Sequence, residues 1–475
     1  MMSFLTSLVI NTPQTGGGGG VNSKCPHCVE SKLPKSLQEI LKNDEKRKKL
    51  IIFINPPYAE ATTATQVTNT GKNKDGVALG NATYERYKDS MGKASNELFA
   101  QFFFRIYKEI PHCILASFST LKYVNSTNFI KFRETFKARF LEGFIAPAYT
   151  FDNVNGNFPI GFLVWNLAQP QAIEKIALDI FNDNVASLGK KRFYTTLDNK
   201  ESINKWIKQY DDKKNFIALV VSTAPDFQHN QQLAILSKQQ ERYCFYVSLA
   251  TLIPFSVYFS VRHCIKATWI NDRDQFLAPN KKWEKDTEFH NDCLVFMLFH
   301  GQNRITAKVG INHFIPFSEK EIDAAEAFES HFMQDFLQGK IKQKLSLRGG
   351  GEAKQTKKAV QPSLSPEFDE TQNSSFIPTK PLIFSDEAKK VLQAGKELFK
   401  HYHKQAKDEK NYNPNAALYD IKAHFQGFND KGKMNPPQKA KDEAYKERLS
   451  TLNYALKNLA KKIEVKVYEY EFLLE

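Results

Sequence analysis

A short apolar segment that stops at two prolines constrains the fold of this chain more than any other feature. Leu50-Ile-Ile-Phe-Ile54 is followed at once by Asn55-Pro-Pro-Tyr58. An apolar run of this length is typical of a strand that is buried on both faces, as in a parallel sheet. Two prolines cannot continue a sheet ladder, so the strand must end there. The segment therefore predicts a buried strand with polar and aromatic residues directly at its carboxyl end.

Strand and helix patterns alternate after this segment. Residues 95–107 and 129–141 place apolar side chains at helical spacing. Short apolar strands are predicted at 113–118, 144–148 and 161–165. Such alternation is typical of α/β layering. We therefore predict an α/β fold in which residues 50–170 form part of a Rossmann-like sheet.

The rest of the chain divides by composition. We predict a leader with a glycine run at 1–49, a mixed α/β region at 171–335, a linker at 336–381 and a helical module at 382–475. Gly and Pro with scattered Ser, Thr and Gln are typical of a flexible linker. Helices are predicted within the last region at 386–405 and 439–463.

The charge balance and the cysteine count limit the partners and the environment. Lys and Arg number 66 against 52 Asp and Glu, a formal net charge of +14, which favours a polyanionic partner. Six cysteines in 475 residues are too few for a disulfide scaffold, so we expect a cytoplasmic location.

Residues 243–261 are uncharged over about the length of a membrane span. Pro254 and several Ser and Thr favour two buried strands there instead, and we expect no membrane association.

The Asn-Pro-Pro-Tyr segment suits recognition of a planar exocyclic amine. Ligands of open α/β sheets bind beyond the carboxyl ends of the strands, where this segment lies. The Asn55 amide oxygen and the backbone carbonyl of Pro56, which precedes Pro57, can accept the two N–H donors of such an amine. Tyr58 adds an aromatic face on which a base can stack. The alternative interpretation of these four residues is an ordinary turn after a proline-terminated strand.

These residues resemble the catalytic motif of amino-group methyltransferases that use S-adenosylmethionine, above all the N6-adenine DNA methyltransferases. The resemblance extends through Phe53–Glu60, Glu97–Phe103, Ile114–Phe118, Phe158–Trp165, Tyr258–Asp274, Asn415–Ile421 and Lys466–Phe472. The order of these segments is similar to that in the large, type IIG-like adenine methyltransferases of restriction–modification systems. By this resemblance, residues 50–170 would be the catalytic half and residues 171–335 the target-recognition region.

The resemblance implies a site-specific enzyme that transfers a methyl group from S-adenosylmethionine to an adenine flipped out of double-stranded DNA. Asn55–Tyr58 would form the catalytic motif. Phe151 or Phe158 would wall the base pocket, with core packing as the alternative role for either ring. No metal is implied, since Cys25 and Cys28 have no second Cys-x-x-Cys pair to complete a zinc site.

The glycine loop with which this family binds its cofactor is not found ahead of Asn55. Gly16–Gly20 follows no apolar strand and opens no helix. We therefore expect the chain to correspond to the carboxyl-terminal part of such an enzyme, inactive alone, with an upstream polypeptide carrying the cofactor-binding half. Two alternatives stay open. One is a non-catalytic DNA-binding remnant or complementing subunit of a split methyltransferase, and the other is a protein-glutamine or RNA N-methyltransferase.

Overall fold

Two mixed β-sheets organise the structure. The computed structural model describes residues 34–57, 78–151, 156–195, 200–237, 243–341 and 376–474. Unit 1 holds the described residues up to Lys200 together with Ala267–Gln275, and unit 2 holds Glu201–Lys266 and Phe276–Leu474. The sequence predicted a division at residue 170. It lies at Lys200 because the first sheet continues through two further strands to Tyr194.

Unit 1 is a six-stranded sheet with helices. Its strands are β1 (Ile51–Ile54), β2 (Ile114–Thr120), β3 (Arg139–Pro147), β4 (Pro159–Asn166), β5 (Lys175–Phe181) and β6 (Ser187–Tyr194). Its α-helices are α1 (Lys35–Lys42), α2 (Asp44–Arg47), α3 (Ala82–Met91), α4 (Leu98–Glu109), α5 (Lys122–Asn125) and α6 (Ile130–Thr135). The strand order is β1-β2-β4-β3-β5-β6. β1 is parallel to β2, whereas β4 runs antiparallel to both β2 and β3. The predicted α/β class is confirmed.

β1 ends before the prolines as predicted, but it is buried on one face rather than two. Ile52 and Ile54 are 2% and 7% exposed, whereas Ile51 is 63% and Phe53 is 44% exposed. Among the described residues β1 is an edge strand with β2 as its neighbour. The buried face belongs to the same hydrophobic core of unit 1 as side chains of α4, such as Phe103. The expectation of burial on both faces is therefore wrong for β1.

A buried pair of aromatic residues joins the sheet to the helical layer of unit 1. Trp165 of β4 and Tyr123 of α5 are both fully buried. The Trp165 indole Nε1 donates a hydrogen bond of 2.9 Å to the Tyr123 hydroxyl oxygen. A buried indole N–H needs such an acceptor.

Unit 2 contains a four-stranded sheet in the order β10-β8-β7-β9. Its strands are β7 (Phe216–Val221), β8 (Ala234–Leu236), β9 (Cys244–Ser248) and β10 (Asn303–Arg304). Its α-helices are α7 (Ile203–Lys208), α8 (Leu252–His263), α9 (Thr287–Phe299), α10 (Phe332–Leu337), α11 (Asp386–Ala406), α12 (Leu418–Gln426) and α13 (Glu443–Glu469).

The uncharged stretch at 243–261 forms a strand and a helix, not the two strands that the sequence predicted. β9 is followed by α8, which holds Pro254 in its first turn. Proline is tolerated there because an N–H in the first turn has no intrahelical partner to lose. The helix is buried from Leu252 to Arg262. Among the described residues, no helix has both the length and the apolar character needed to cross a membrane.

The two long helices predicted near the carboxyl end are present as α11 and α13. Their apolar side chains share one core with those of α8 and α9, so they belong to unit 2 rather than to a separate module. Most of the predicted linker, residues 342–375, lies outside the described residues. Ile377, from the end of the predicted linker, is buried in the same core.

We expect Tyr123→Phe to destabilise unit 1 by about 1–3 kcal/mol, the cost of leaving a buried N–H without its acceptor. Urea unfolding of the full chain measures this change. Tyr84→Phe is the control, because the Tyr84 hydroxyl makes no hydrogen bond with any described residue. Equal stabilities of the two variants would contradict the role given to the Trp165–Tyr123 hydrogen bond.

Candidate active site at the carboxyl edge of the six-stranded sheet

The sheet topology brings three separate segments to one edge of unit 1. Because β4 is antiparallel to both β2 and β3, the strands β1, β2 and β3 all point the same way. Their carboxyl ends therefore meet at one edge, together with the start of β4. Asn55 directly follows β1, Phe151 comes shortly after β3, and Phe158 directly precedes β4. The sequence-predicted site residues that the structure describes thus lie at a common edge.

The Asn-Pro-Pro segment leaves the sheet alongside the end of β2. Ile54 is the last residue of β1 and pairs with Ser117, while β2 continues to Thr120. Asn55 is exposed and Pro56 is buried. Tyr58 lies outside the described residues. The segment therefore places an exposed asparagine at the edge where ligands of α/β sheets bind.

Phenylalanines form a continuous cluster on the face of the sheet opposite the helices. Its members are Phe53, Phe118, Phe144, Phe151, Phe162 and Phe181. The rings of Phe118 and Phe162 are 4.9 Å apart between centroids, and the rings of Phe118 and Phe151 are 5.4 Å apart. Through Phe151, this phenylalanine cluster extends from the sheet face to the carboxyl edge. Phe151 therefore packs in this cluster and lies at the edge where the sequence predicted a base pocket.

Phe158 is held by an arginine from a distant part of the sequence. The guanidinium carbon of Arg273 lies 5.2 Å from the centroid of the Phe158 ring, within the range of a cation–π interaction. A Cβ atom at Gly156 would come within 2.2 Å of the same ring, so a side chain there would displace the ring from this position. The Phe158 ring is thus fixed between backbone and guanidinium.

Arg273 reaches this edge on the segment 267–275, which belongs to unit 1 although its chain neighbours belong to unit 2. The Asn125 side-chain amide, just after β2, donates a hydrogen bond of 3.1 Å to the Arg273 carbonyl. Lys191 Nζ forms an ion pair of 2.6 Å with Asp274. Burial raises the pKa of Asp274, and the Lys191 ammonium opposes that rise. Trp269 packs against the core of unit 1 as well. Arg273 lies in the segment Tyr258–Asp274 that carries the resemblance, but no local sequence pattern marks its contact with Phe158.

Two further polar features lie at the carboxyl end of β2. The Thr120 hydroxyl is buried and has no hydrogen-bond partner in the part of the chain that the structure describes. Lys122 Nζ and Glu97 form an ion pair of 2.5 Å directly after the strand. Burial raises the pKa of Tyr123, so its hydroxyl stays neutral and does not act as a base near neutral pH.

The described residues do not build a site for a nucleotide-like methyl donor. Such a site needs a glycine-containing turn between a strand and a helix. Residues 34–50 ahead of β1 form α1 and α2 without a strand, and Gly16–Gly20 lies outside the described residues. Cys25 and Cys28 also lie outside them, and the described side chains form no group of three or more His, Cys, Asp and Glu that could hold a metal. The described part of the edge therefore offers hydrogen-bond acceptors but no glycine turn of this kind.

Comparisons with models of protein families and with curated proteins found no match. Among solved structures, the chain is similar to an ATP-dependent Type ISP restriction-modification enzyme, LlaBIII, bound to DNA. The match has a TM-score of 0.23 and 11% identity and covers 46% of this chain. It spans only 17% of that enzyme's chain. With so low a TM-score, the likeness does not establish a shared fold or activity.

The side chains of Arg273 and Phe158 should be energetically coupled. In a double-mutant cycle of Arg273→Met and Phe158→Leu, we expect a coupling energy of about 0.5–2 kcal/mol, since the Arg273 side chain is only 19% exposed. Urea unfolding of the four proteins measures it. The parallel cycle at Lys88 and Tyr84, a 5.7 Å pair with a 41% exposed lysine side chain, should give a smaller value. Zero coupling at Arg273 would show that the guanidinium does not hold the ring.

Proposed function

We propose that this chain carries the amine-binding part of a site-specific adenine-N6 DNA methyltransferase of the restriction–modification type. The observation that carries the proposal is the position of Asn55 and Pro56 at the carboxyl end of a strand that is paired in parallel with β2. This is the edge at which open α/β sheets bind their ligands. The residue types at this edge match the exocyclic amine of adenine, which offers two N–H donors.

In this proposal Asn55 and Pro56 orient the adenine amine. The Asn55 amide oxygen accepts one N–H and the Pro56 carbonyl accepts the other. Accepting both protons directs the nitrogen lone pair away from the acceptors and increases its nucleophilic character. Two polar contacts at one atom also fix the direction of the amine, and such positioning is a large share of catalysis in group transfer.

The base reaches this edge only after leaving the duplex, because stacking hides its amine; flipping costs a few kcal/mol. Phe151 and the Phe158–Arg273 pair supply aromatic and cationic surface against which a flipped base can rest. We assign stacking on the base to Tyr58, as the motif implies. Target recognition is proposed for residues 171–335, and double-stranded DNA agrees with the net charge of +14.

We propose S-adenosylmethionine as the methyl donor and an upstream polypeptide as the carrier of its site. The described residues ahead of β1 contain no strand that could lead into a glycine loop. β1 has an edge without a strand partner among the described residues, and its outward residues Ile51 and Phe53 are largely exposed. Such an edge favours pairing with another chain. A polypeptide that adds strands beside β1 would place its donor site next to Asn55.

A non-catalytic DNA-binding remnant is the second candidate. It is favoured by the same lack of a donor site in the described residues. The two candidates differ in one property: a remnant binds DNA but gives no methylation with any partner polypeptide.

We expect Asn55→Ala to lower methyl transfer to adenine N6 by about 100-fold or more, the scale of losing one hydrogen bond formed in the transition state. The loss should appear in the single-turnover rate and leave DNA affinity unchanged, because the contact strengthens as the amine becomes nucleophilic. The assay measures tritium transfer from labelled S-adenosylmethionine to unmethylated DNA, with the upstream polypeptide present.

Asn128→Ala is the matched control for this experiment. Asn128 is an exposed asparagine of the same unit whose side chain makes no hydrogen bond with a described residue. It should transfer methyl groups at the wild-type rate. A wild-type rate in Asn55→Ala would remove the basis of the proposed site.

The purified chain alone should give no binding heat with S-adenosylmethionine in calorimetric titration. Co-expression with a polypeptide that carries a glycine loop should produce both binding and N6-methyladenine, detected as protection from a methylation-sensitive nuclease. Binding and methylation by the chain alone would contradict the split of the two sites. Duplex binding without methylation in any combination would favour the non-catalytic remnant.

A further inference from the structure

Two cations from distant parts of the sequence lie on contacting elements of unit 2, and no described acidic side chain pairs with one of them. Arg304 is the last residue of β10, and Lys422 lies in α12. Burial lowers the pKa of Lys422, and the charge of Arg304 lowers it further. Lys422 Nζ forms no hydrogen bond or ion pair with any residue that the structure describes. The pair therefore concentrates positive charge that no described carboxylate neutralises at Lys422.

The fold holds this pair in place through the neighbouring Asp420. Its carboxylate accepts a 2.5 Å hydrogen bond from the Thr306 hydroxyl and a 2.8 Å bond from the backbone N–H of Ala307. These contacts fix α12 against the segment that directly follows β10. Arg304 is oriented in turn, since its Nη2 donates a 2.7 Å bond to the Gln302 side-chain oxygen. The two cations are thus positioned by bonds that do not neutralise Lys422.

Open space lies beside the Lys422 ammonium. A Cβ atom placed at Gly301 would be 3.8 Å from Lys422 Nζ and, among the described residues other than its chain neighbours, within 4 Å of no other heavy atom. Gly301 and Arg304 are exposed, so solvent reaches this space. An oxyanion can therefore approach the ammonium past a residue that has no side chain.

Keeping a partly buried ammonium beside a guanidinium costs stability, because burial and like charge both disfavour the charged form. A bound oxyanion removes that cost by accepting hydrogen bonds from both groups. We propose that Lys422 and Arg304, with the open space at Gly301, bind one phosphate group of the DNA backbone. The identification of the ligand as DNA rests on the proposed function, while the chemistry of the site is that of any phosphate.

The test measures binding of a short mixed-sequence DNA duplex to the full chain as a function of salt. For Lys422→Gln we expect the slope of log K against log salt to fall by about one unit, the value of one phosphate contact. Arg304→Gln should reduce the slope by a similar amount. Because both cations contact the same phosphate, the double variant should lose little more than either single variant.

Lys396→Gln is the matched control, since Lys396 is a partly buried lysine of unit 2 that pairs with Glu321 at 2.7 Å. Its salt slope should equal that of the wild type. The melting temperature provides a second readout. Lys422→Gln should have a melting temperature no lower than that of the wild type, because the substitution removes an unneutralised charge. A reduced salt slope in a variant that melts in this way cannot be attributed to unfolding.

Each outcome decides the proposal. An unchanged salt slope in Lys422→Gln overturns the proposal. It does so even if calorimetry detects binding of inorganic phosphate that the variant loses, because the site then binds free phosphate rather than the DNA backbone. No duplex binding by the wild type overturns both this proposal and the proposed function. A reduced slope supports the phosphate site even if no preparation methylates DNA, in which case only the proposed function fails.

Discussion

The candidate site depends on β2, which pairs in parallel with β1 on one side and antiparallel with β4 on the other. This double pairing brings Asn55 and Phe158 to the same edge of the sheet. The same register places Leu115 and Trp165 towards the helices, and Phe118 and Phe162 on the opposite face. A slip of one residue would exchange the two faces, so burial of the core also fixes the geometry of the edge.

The two faces of this sheet differ in how they are covered. The helical face is closed by aromatic packing around Trp165, whereas Phe53 on the other face stays 44% exposed although it contacts Phe118 and Phe162. Contiguous exposed apolar surface beside a strand edge without a partner is typical of surfaces that associate with another chain. In the proposed function, a partner polypeptide that added strands beside β1 would cover this edge and would also carry the donor site.

Local patterns predicted the parts of the structure that depend on neighbouring residues. Two prolines end β1 regardless of where the strand lies in the sheet. The position of Asn55 directly after the end of the strand could therefore be predicted from the sequence. The antiparallel course of β4 and the contact of Arg273 with Phe158 join residues far apart in the chain, and no spacing rule encodes them. The helix α8 was predicted as strand because its residues are apolar and β-prone and include Pro254, which the first turn of a helix accommodates.

Net charge alone does not identify the cations that contact DNA. Many basic side chains of unit 2 are already neutralised, such as Lys462 by Glu288 and Asp292. These pairs still contribute to the overall field that attracts a polyanion, but forming a phosphate contact would require breaking an existing ion pair. Lys422 has no such pair to break among the described residues.

Since α11 and α13 share the core of unit 2, removing them would also remove the fold that positions any contact. Substitution of single cations therefore distinguishes long-range electrostatic attraction of DNA from direct contact between a side chain and a DNA phosphate.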